Sequence, residues 1–367
     1  MHDSTLGALP AGRSLFAWRA LRVLVVLVGL AGCAPRPALG PRALADRFAA
    51  RTGFQGVVLV ARHDSVLLAA PVGLADLEAG VPAALDTRYQ IGSIAKWVAS
   101  IVVLGLVDDG ALSLTEPLGA YLPGLPEATA WRVTLHHLLS NTSGVPDGVV
   151  AAYEADPTAL DAPLSTDEAV RRFASGDLQF EPGAQFDYAL ANWVLVQAVI
   201  ERVTGQPFDA VLRDRLTEPL GMENTGAFST ETLPRLGVAP GYTEVDPEPV
   251  RVQLPDPAYL AAAGGVYSTA PDLLRLLHAL YGGSVLSDAS LQRLGLEGYA
   301  YGGHLARLRL GGSAEPALWL TGSNGPSKAR VSRVLSTGLS VITLTNVGVS
   351  PEETGALTEA VLEALAR

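Results

Sequence analysis

Apolar positions along the chain fall into three patterns, and each predicts a different element. Residues 42–51 place Leu44, Phe48 and Ala49 at helical spacing, which predicts an amphipathic helix. The runs 53–61 (with Val57-Val58-Leu59-Val60) and 65–72 are β-branched or apolar and are separated by His63-Asp64, which predicts a strand pair. Val98, Ile101, Val102, Leu104 and Leu106 continue a buried helix that starts near Ser93 and ends at Asp109-Gly110. Residues 111–255 have a different texture, helical patches between Pro/Gly turns, with Val133–Leu139 and Asn192–Val203 as the best helices. Residues 236–258 hold five prolines and read as a loop. Thr269-Ala270-Pro271-Asp272 opens a further helix through Tyr281, with Thr269 as cap and Pro271 in the first turn. Three strands follow, Ala317–Leu320, Ala329–Leu335 and Leu339–Leu344, and then a closing amphipathic helix over Glu353–Ala366.

Strands near both ends with helices between them predict an α/β (α+β) fold, an antiparallel sheet built from both termini, flanked by helices and carrying an inserted, mostly helical domain. The expected division is 42–110 plus 256–367 for the α/β domain and 111–255 for the insertion. Ahead of them stand a segment 1–32 and a proline-bearing tether 33–41. In the first segment, Arg13, Arg19 and Arg22 precede the apolar run Val23–Leu30, which is short for a bilayer span and suits a signal-peptide core. Leu30-Ala31-Gly32-Cys33 resembles a bacterial lipobox, in which the cysteine thiol is lipidated and becomes the mature N-terminus. Cys33 is the sole cysteine, so a disulfide framework is excluded and the expected use of that thiol is a lipid anchor.

Composition narrows the partners. Of 367 residues 49% are hydrophobic and 17% charged, enough for a large core. The formal net charge is −11 with no basic run after residue 40, which argues against nucleic acid. Loss of residues 1–32 removes three Arg and one Asp and leaves −13, so membrane attachment would come from the lipid and not from charge. Ala34 gives no aspartate-type inner-membrane retention signal, so the expected location is the cell envelope, periplasm-facing, on the outer membrane where one exists. The six His are scattered, and adjacent His136-His137 would face different sides of a helix, so no metal is expected. No glycine-rich phosphate loop follows a strand, no cofactor is expected, and a monomer is the simplest state.

Chemistry concentrates at Tyr89-Gln90-Ile91-Gly92-Ser93-Ile94-Ala95-Lys96-Trp97. Spacing i,i+3 sets the Ser93 hydroxyl and the Lys96 amine on one helical face. A buried amine can shed its charge and then accept the proton an attacking serine must lose. The helix N-terminus beside Ser93 favours developing negative charge. Ser-x-x-Lys is a weak motif alone. Here the chain has 24 Arg and only two Lys, Lys96 and Lys328, and chance would supply on the order of 0.1 such matches. Arginine cannot serve as the base.

Taken with further stretches, this one resembles the serine β-lactamase and penicillin-binding protein family, closest to class C β-lactamases and related esterases and peptidases. The stretches are Thr134-Leu135-His136-His137-Leu138-Leu139-Ser140-Asn141-Thr142-Ser143-Gly144, Phe180-Glu181-Pro182-Gly183, Ile200–Gly205, Glu218–Met222 and Gly264–Thr269, in the family's order over residues 44–366. The resemblance implies an active site between the sheet domain and the helical domain. It implies Ser93 as nucleophile, Lys96 as proton acceptor, Tyr188 as base or relay, and the Ser93 and Ser323 backbone N–H groups as oxyanion hole, with no cofactor.

Two positions that would contact substrate depart from the family pattern. Leu190 stands where an Asn is expected, and Asn192 lies about 200° around the helix from that position. Leu320 stands at the cation or imidazole position of Trp319-Leu320-Thr321-Gly322, while Thr321 and Gly322 are retained. Leucine can neither donate nor accept. Losing a charge-assisted hydrogen bond costs about 1.5–3 kcal/mol, so binding of an anionic β-lactam should be poor. Lys328, Arg330 and Arg333 read first as solvated strand or turn positions, with a replacement cation as the second reading. The expected function is a lipid-anchored serine hydrolase of a neutral ester, amide or small peptide. Two alternatives stay open: a catalytically impaired envelope binding or sensing protein, and a true β-lactamase or D-alanyl-D-alanine carboxypeptidase.

Overall fold

The computed structural model describes residues 39–243, 249–295 and 298–366; the expected signal segment, most of the tether and Cys33 lie outside them. In chain order the elements that place the site are α1 (Pro41–Thr52), β1 (Gly56–Arg62), β2 (Ser65–Val72), β3 (Tyr89–Gln90), α2 (Ile94–Asp108), α3 (Leu190–Thr204), β4 (Gly226–Ala227), β5 (Val266–Ser268), α4 (Ala270–Tyr281), β6 (Gly298–Ala300), β7 (Gly303–Leu310), β8 (Ser313–Asn324), β9 (Ser327–Val334), β10 (Leu339–Thr345) and α5 (Pro351–Leu365). Seven of the strands form one antiparallel sheet in the order β6-β7-β8-β9-β10-β1-β2, so the two chain ends meet at the β10–β1 pair, as expected.

Helices cover both faces of that sheet, which explains why β1 and β10 are buried at every position except Arg62 instead of alternating between buried and exposed. Val57 and Leu59 of β1 and Ile342 and Leu344 of β10 face one core with α2, α3 and α4. Val58 and Val60, with Leu339 and Val341, face the other core beneath α1 and α5. Fully burying such a side chain contributes about 1.5–3 kcal/mol, so the central strand pair anchors both layers. The first core runs on without a break into the helices of 111–255, and from Leu39 onward the chain packs as one compact unit.

The remaining expectations meet the structure as follows. Pro41 opens α1 at its first turn and Gly53 closes it with φ 68°. Thr269 caps α4 by accepting from the Asp272 N–H. Within the expected loop 236–258, Gly241–Tyr242 and Arg251–Val252 form a two-residue strand pair. The hairpin β6–β7 was not expected, although Arg307, Leu308, Arg309 and Leu310 alternate at strand period. Helices over Gly148–Ala155, Thr166–Phe173 and Asp288–Leu294 were also missed, each being short. Among the described residues no helix is long and apolar enough to cross a membrane.

Candidate active site

Helix α2 is apolar all round, with twelve of its fifteen residues buried, and Lys96 is the single cation among them. Ser93 occupies its N-cap position yet caps nothing: its dihedrals are helical (φ −60°, ψ −7°), and its hydroxyl turns outward. There the Oγ atom lies 2.8 Å from Tyr188 Oη and 3.2 Å from Lys96 Nζ. Lys96 is 1% exposed. Its amine also donates to the Ala263 carbonyl and sits 5.0 Å from the Tyr188 ring centroid and 5.9 Å from that of Trp193. No ion pair to Lys96 is found among the described residues, so a carbonyl, a hydroxyl and two ring faces hold the amine without a carboxylate.

Tyr188 reaches this point from a loop fixed by the Ser140–Gly144 stretch. Asp187 N–H donates to the Asn141 carbonyl (2.8 Å), Gly183 N–H to that of Thr142 (2.7 Å), and Gln179 N–H to that of Gly144 (2.8 Å). Behind them Ser143 Oγ donates to Asn192 Oδ1 (2.6 Å), and Asn192 Nδ2 donates to Asn141 Oδ1 (3.0 Å). Asn192 is therefore a buried brace of this loop and does not line the cavity at Ser93. Asp147 adds a junction absent from any sequence motif. Its carboxylate accepts from Leu190 N–H (2.6 Å) at the start of α3 and also caps the helix Gly148–Ala155. One carboxylate thus satisfies the open N–H groups of two helices and holds the tyrosine's exit onto α3.

The opposite wall is the free end of β8. Pairing with β7 stops at His304↔Trp319, whereas pairing with β9 continues to Asn324↔Ser327. On the edge that β7 leaves open, Gly322 and Ser323 therefore border residues 91–94 instead of a second strand. The fit is tight: a Cβ on Gly322 would stand 1.8 Å from the Ile91 carbonyl oxygen, and one on Gly92 (φ 50°) would stand 2.5 Å from Ser323 N. Glycine at both positions lets the Ser93 and Ser323 backbones approach across one crevice.

Together these walls enclose a cavity of about 250 Å³ lined by Ser93, Lys96, Tyr188, Thr321, Gly322 and Ser323 among others. Every polar residue expected at the site is thereby gathered in one place. The two leucines are not on the wall. Leu320 is buried against Gly303, and Leu190 packs partly buried against the main core, so each removes a polar group from the family's set without adding a contact. Of the three candidate cations Lys328 lines the cavity, donating to Ser323 Oγ and the Gly325 carbonyl, both at 2.7 Å. Arg330 instead stacks 3.7 Å over Trp319, and burial brings its pKa down to about 10. Arg333 turns to Ser340 and the Tyr281 ring. Both arginines are buried, not solvated.

Sequence reasoning missed the wall contributed by β6–β7. Gly302 presses the hairpin onto the α2 backbone at Lys96-Trp97, which brings Tyr299 and His304 to the cavity. Tyr299 stacks edge-on with Tyr188 and with His304 at 6.2 and 5.1 Å. Burial, and then the neighbouring Tyr188, push the Tyr299 phenol well above its usual pKa, so it stays neutral. His304 lies at the exposed mouth, yet the water it loses there lowers its pKa. A strand-period signal marked this segment, but nothing local tied it to Ser93.

Comparison with known proteins agrees with this architecture. Residues 42–366 match the family described as Beta-lactamase. Esterase EstB of Burkholderia gladioli is 36% identical over 258 residues, 61% of this chain and 64% of EstB. The putative penicillin-binding protein PbpX of Bacillus subtilis (strain 168) is 26% identical over 243 residues, 66% and 59% of the two chains. The matched segments thus span less than two thirds of either relative. The solved structure of D-amino acid amidase from Ochrobactrum anthropi SV3, complexed with L-phenylalanine amide, superposes with a TM-score of 0.74 at 25% identity, covering 89% of this chain and 97% of that one. A penicillin-binding protein from Bacillus halodurans shares the fold with a TM-score of 0.75 at 24% identity, over 86% and 98%.

Proposed function

Because the chain belongs to the beta-lactamase family, we propose that it is a serine hydrolase that cleaves small esters or amides through an acyl-enzyme on Ser93. The observation that carries this reading is the placement of Ser93 Oγ within hydrogen-bond reach of both Lys96 Nζ and Tyr188 Oη. Ser93 Oγ attacks the substrate carbonyl carbon, and its proton passes to the Lys96 amine, directly or through the Tyr188 phenol. The carbonyl oxygen becomes an oxyanion facing the Ser93 and Ser323 backbone N–H groups. As the tetrahedral intermediate collapses, the carbon–oxygen or carbon–nitrogen bond breaks. The leaving alcohol or amine takes the proton back from the Lys96–Tyr188 pair. Water then repeats the sequence on the acyl-enzyme and frees Ser93.

Relatives named as an esterase and a D-amino acid amidase support an ester or amide as the bond cleaved. Leucine at 320, turned into the core, supports a neutral substrate over a β-lactam carboxylate. The Leu-Ala-Gly-Cys stretch supports a lipid on Cys33 that tethers the enzyme to the envelope membrane. Incorporation of labelled fatty acid that disappears in Cys33→Ala tests that part. For catalysis, the purified protein is treated with a fluorophosphonate and its intact mass is read. A single adduct absent from Ser93→Ala supports the hydrolase, and no adduct at any pH supports the envelope-binding alternative instead. Turnover of a penicillin faster than of a p-nitrophenyl ester would support the true β-lactamase.

A further inference from the structure

Behind the crevice that brings Ser93 and Ser323 together lies a buried polar bridge. Asn324, the last residue of β8, uses its side-chain Nδ2 twice: it donates to Gln90 Oε1 at 2.7 Å and to Asp256 Oδ2 at 2.8 Å. Gln90 stands three residues before Ser93, and Asn324 one residue after Ser323. Gln90 is 3% and Asp256 7% exposed. The Asp256 backbone is itself fixed: its N–H donates to Thr230 Oγ1 (2.7 Å), and its carbonyl accepts from the Thr230 N–H (2.8 Å). Gln253 Nε2 reaches the same Oδ2 at 3.3 Å. Among the described residues Asp256 forms no ion pair, so two carboxamides alone answer a buried carboxyl group. A buried acid without a cation is costly, so the few contacts that answer it matter.

We infer that Gln90, Asn324 and Asp256 form a clamp that fixes the register of the β8 edge against residues 90–93, and thereby sets the separation of the Ser93 and Ser323 N–H groups. They are positioning residues, and the inference rests on the proposed function in so far as those two N–H groups hold an oxyanion. The physical need is plain. Leu320–Asn324 has lost its β7 partner, so no strand ladder determines where this edge sits relative to α2. The glycine contacts at 92 and 322 prevent a closer approach but do not oppose separation. The Asn324 bridge opposes it. A displacement of about 1 Å at a catalytic donor can cost roughly 10²-fold in rate.

The test replaces Asn324 with Leu, which keeps the volume and removes the donors. Expected are a kcat for a p-nitrophenyl ester lowered about tenfold or more with KM within about threefold, since the lost interaction belongs to the transition state. Backbone amide exchange should accelerate in the peptides covering 90–94 and 320–325 and not across β1 or β10. Asp256→Leu should behave likewise, and Asp256→Asn, whose carboxamide oxygen can accept from Asn324, should restore most of the loss. Should Asn324→Leu fail to fold, Gln90→Met removes the acceptor on the other side and is read in the same way. A folded Asn324→Leu with parental kcat and parental exchange overturns the clamp, as does collapse of both variants. If the parent protein takes no fluorophosphonate on Ser93, the proposed hydrolase falls, while local exchange at these two segments still decides whether the clamp exists.

Discussion

Tyr188 Oη stands 2.8 Å from Ser93 Oγ, although 95 residues separate the two in the chain. The phenol is 43% exposed as a residue and its ring edges onto Tyr299, so removing its oxygen alone should leave packing intact. Tyr188→Phe is expected to lower kcat for a p-nitrophenyl ester roughly 10²-fold, the usual contribution of a positioned proton-transfer group, with Tm unchanged. Steady-state rates beside a thermal melt check it; a parental rate would remove Tyr188 from the mechanism.

Lys96 is buried and serves both Ser93 and the Ala263 carbonyl. Lys96→Met should abolish fluorophosphonate labelling of Ser93. It should also cost about 1–3 kcal/mol of stability, because the Ala263 carbonyl loses a buried donor. Lys96→Arg, which keeps a charge but cannot accept a proton, should be as inactive as Met. Labelling in either variant, followed by intact mass, would show that another group takes the proton.

Asp256 links stability to pH. Burial lifts its pKa from 3.8 to about 6 against a smaller opposing contribution from the Asn324 amide. The folded state thus favours the protonated acid. That preference is fully present below pH 3.8 and is lost as pH rises through about 6. At about 1.4 kcal/mol per pKa unit, ionising this group removes on the order of 3 kcal/mol by pH 7. Asp256→Asn should therefore be more stable than the parent at pH 7 by up to about that amount, with the gap closing toward pH 4. Urea unfolding across this range reads it; a parent that gains on the variant with rising pH would reveal a cationic partner for the carboxylate.

Gly322→Ala places a methyl against the Ile91 carbonyl, where neither backbone can yield without opening the crevice. The expected loss is about 1–3 kcal/mol, accompanied by a lower kcat. Gly105→Ala, within α2 and meeting nothing within 4 Å, should instead gain about 0.5–1 kcal/mol from helix propensity. Denaturant midpoints for the two variants give the comparison, and equal midpoints would refute the close contact.

Much of this could be read from local pattern. The apolar runs of β1 and β10, the cap at Thr269 and the helix beginning at Ser93 each depend on residues within a few positions of one another. The serine and lysine share a helical face by spacing alone. Asn192 was correctly set apart from Leu190 by the same helical geometry. Other features have no local signature, because they form between segments brought together only by the sheet. His304 and Tyr299 reach the cavity because Gly302 presses a hairpin onto α2. Lys328 replaces Leu320 on the wall because β9 registers Lys328 opposite Ser323. Asp256, Asn324 and Gln90 meet across gaps of 68 and 234 residues. Sequence alone determined the helix, the serine at its start and the amine one turn on, since covalent spacing and periodicity suffice for those. Tertiary structure decided what faces them, because contacts between distant segments follow from strand register and packing, which no short stretch encodes.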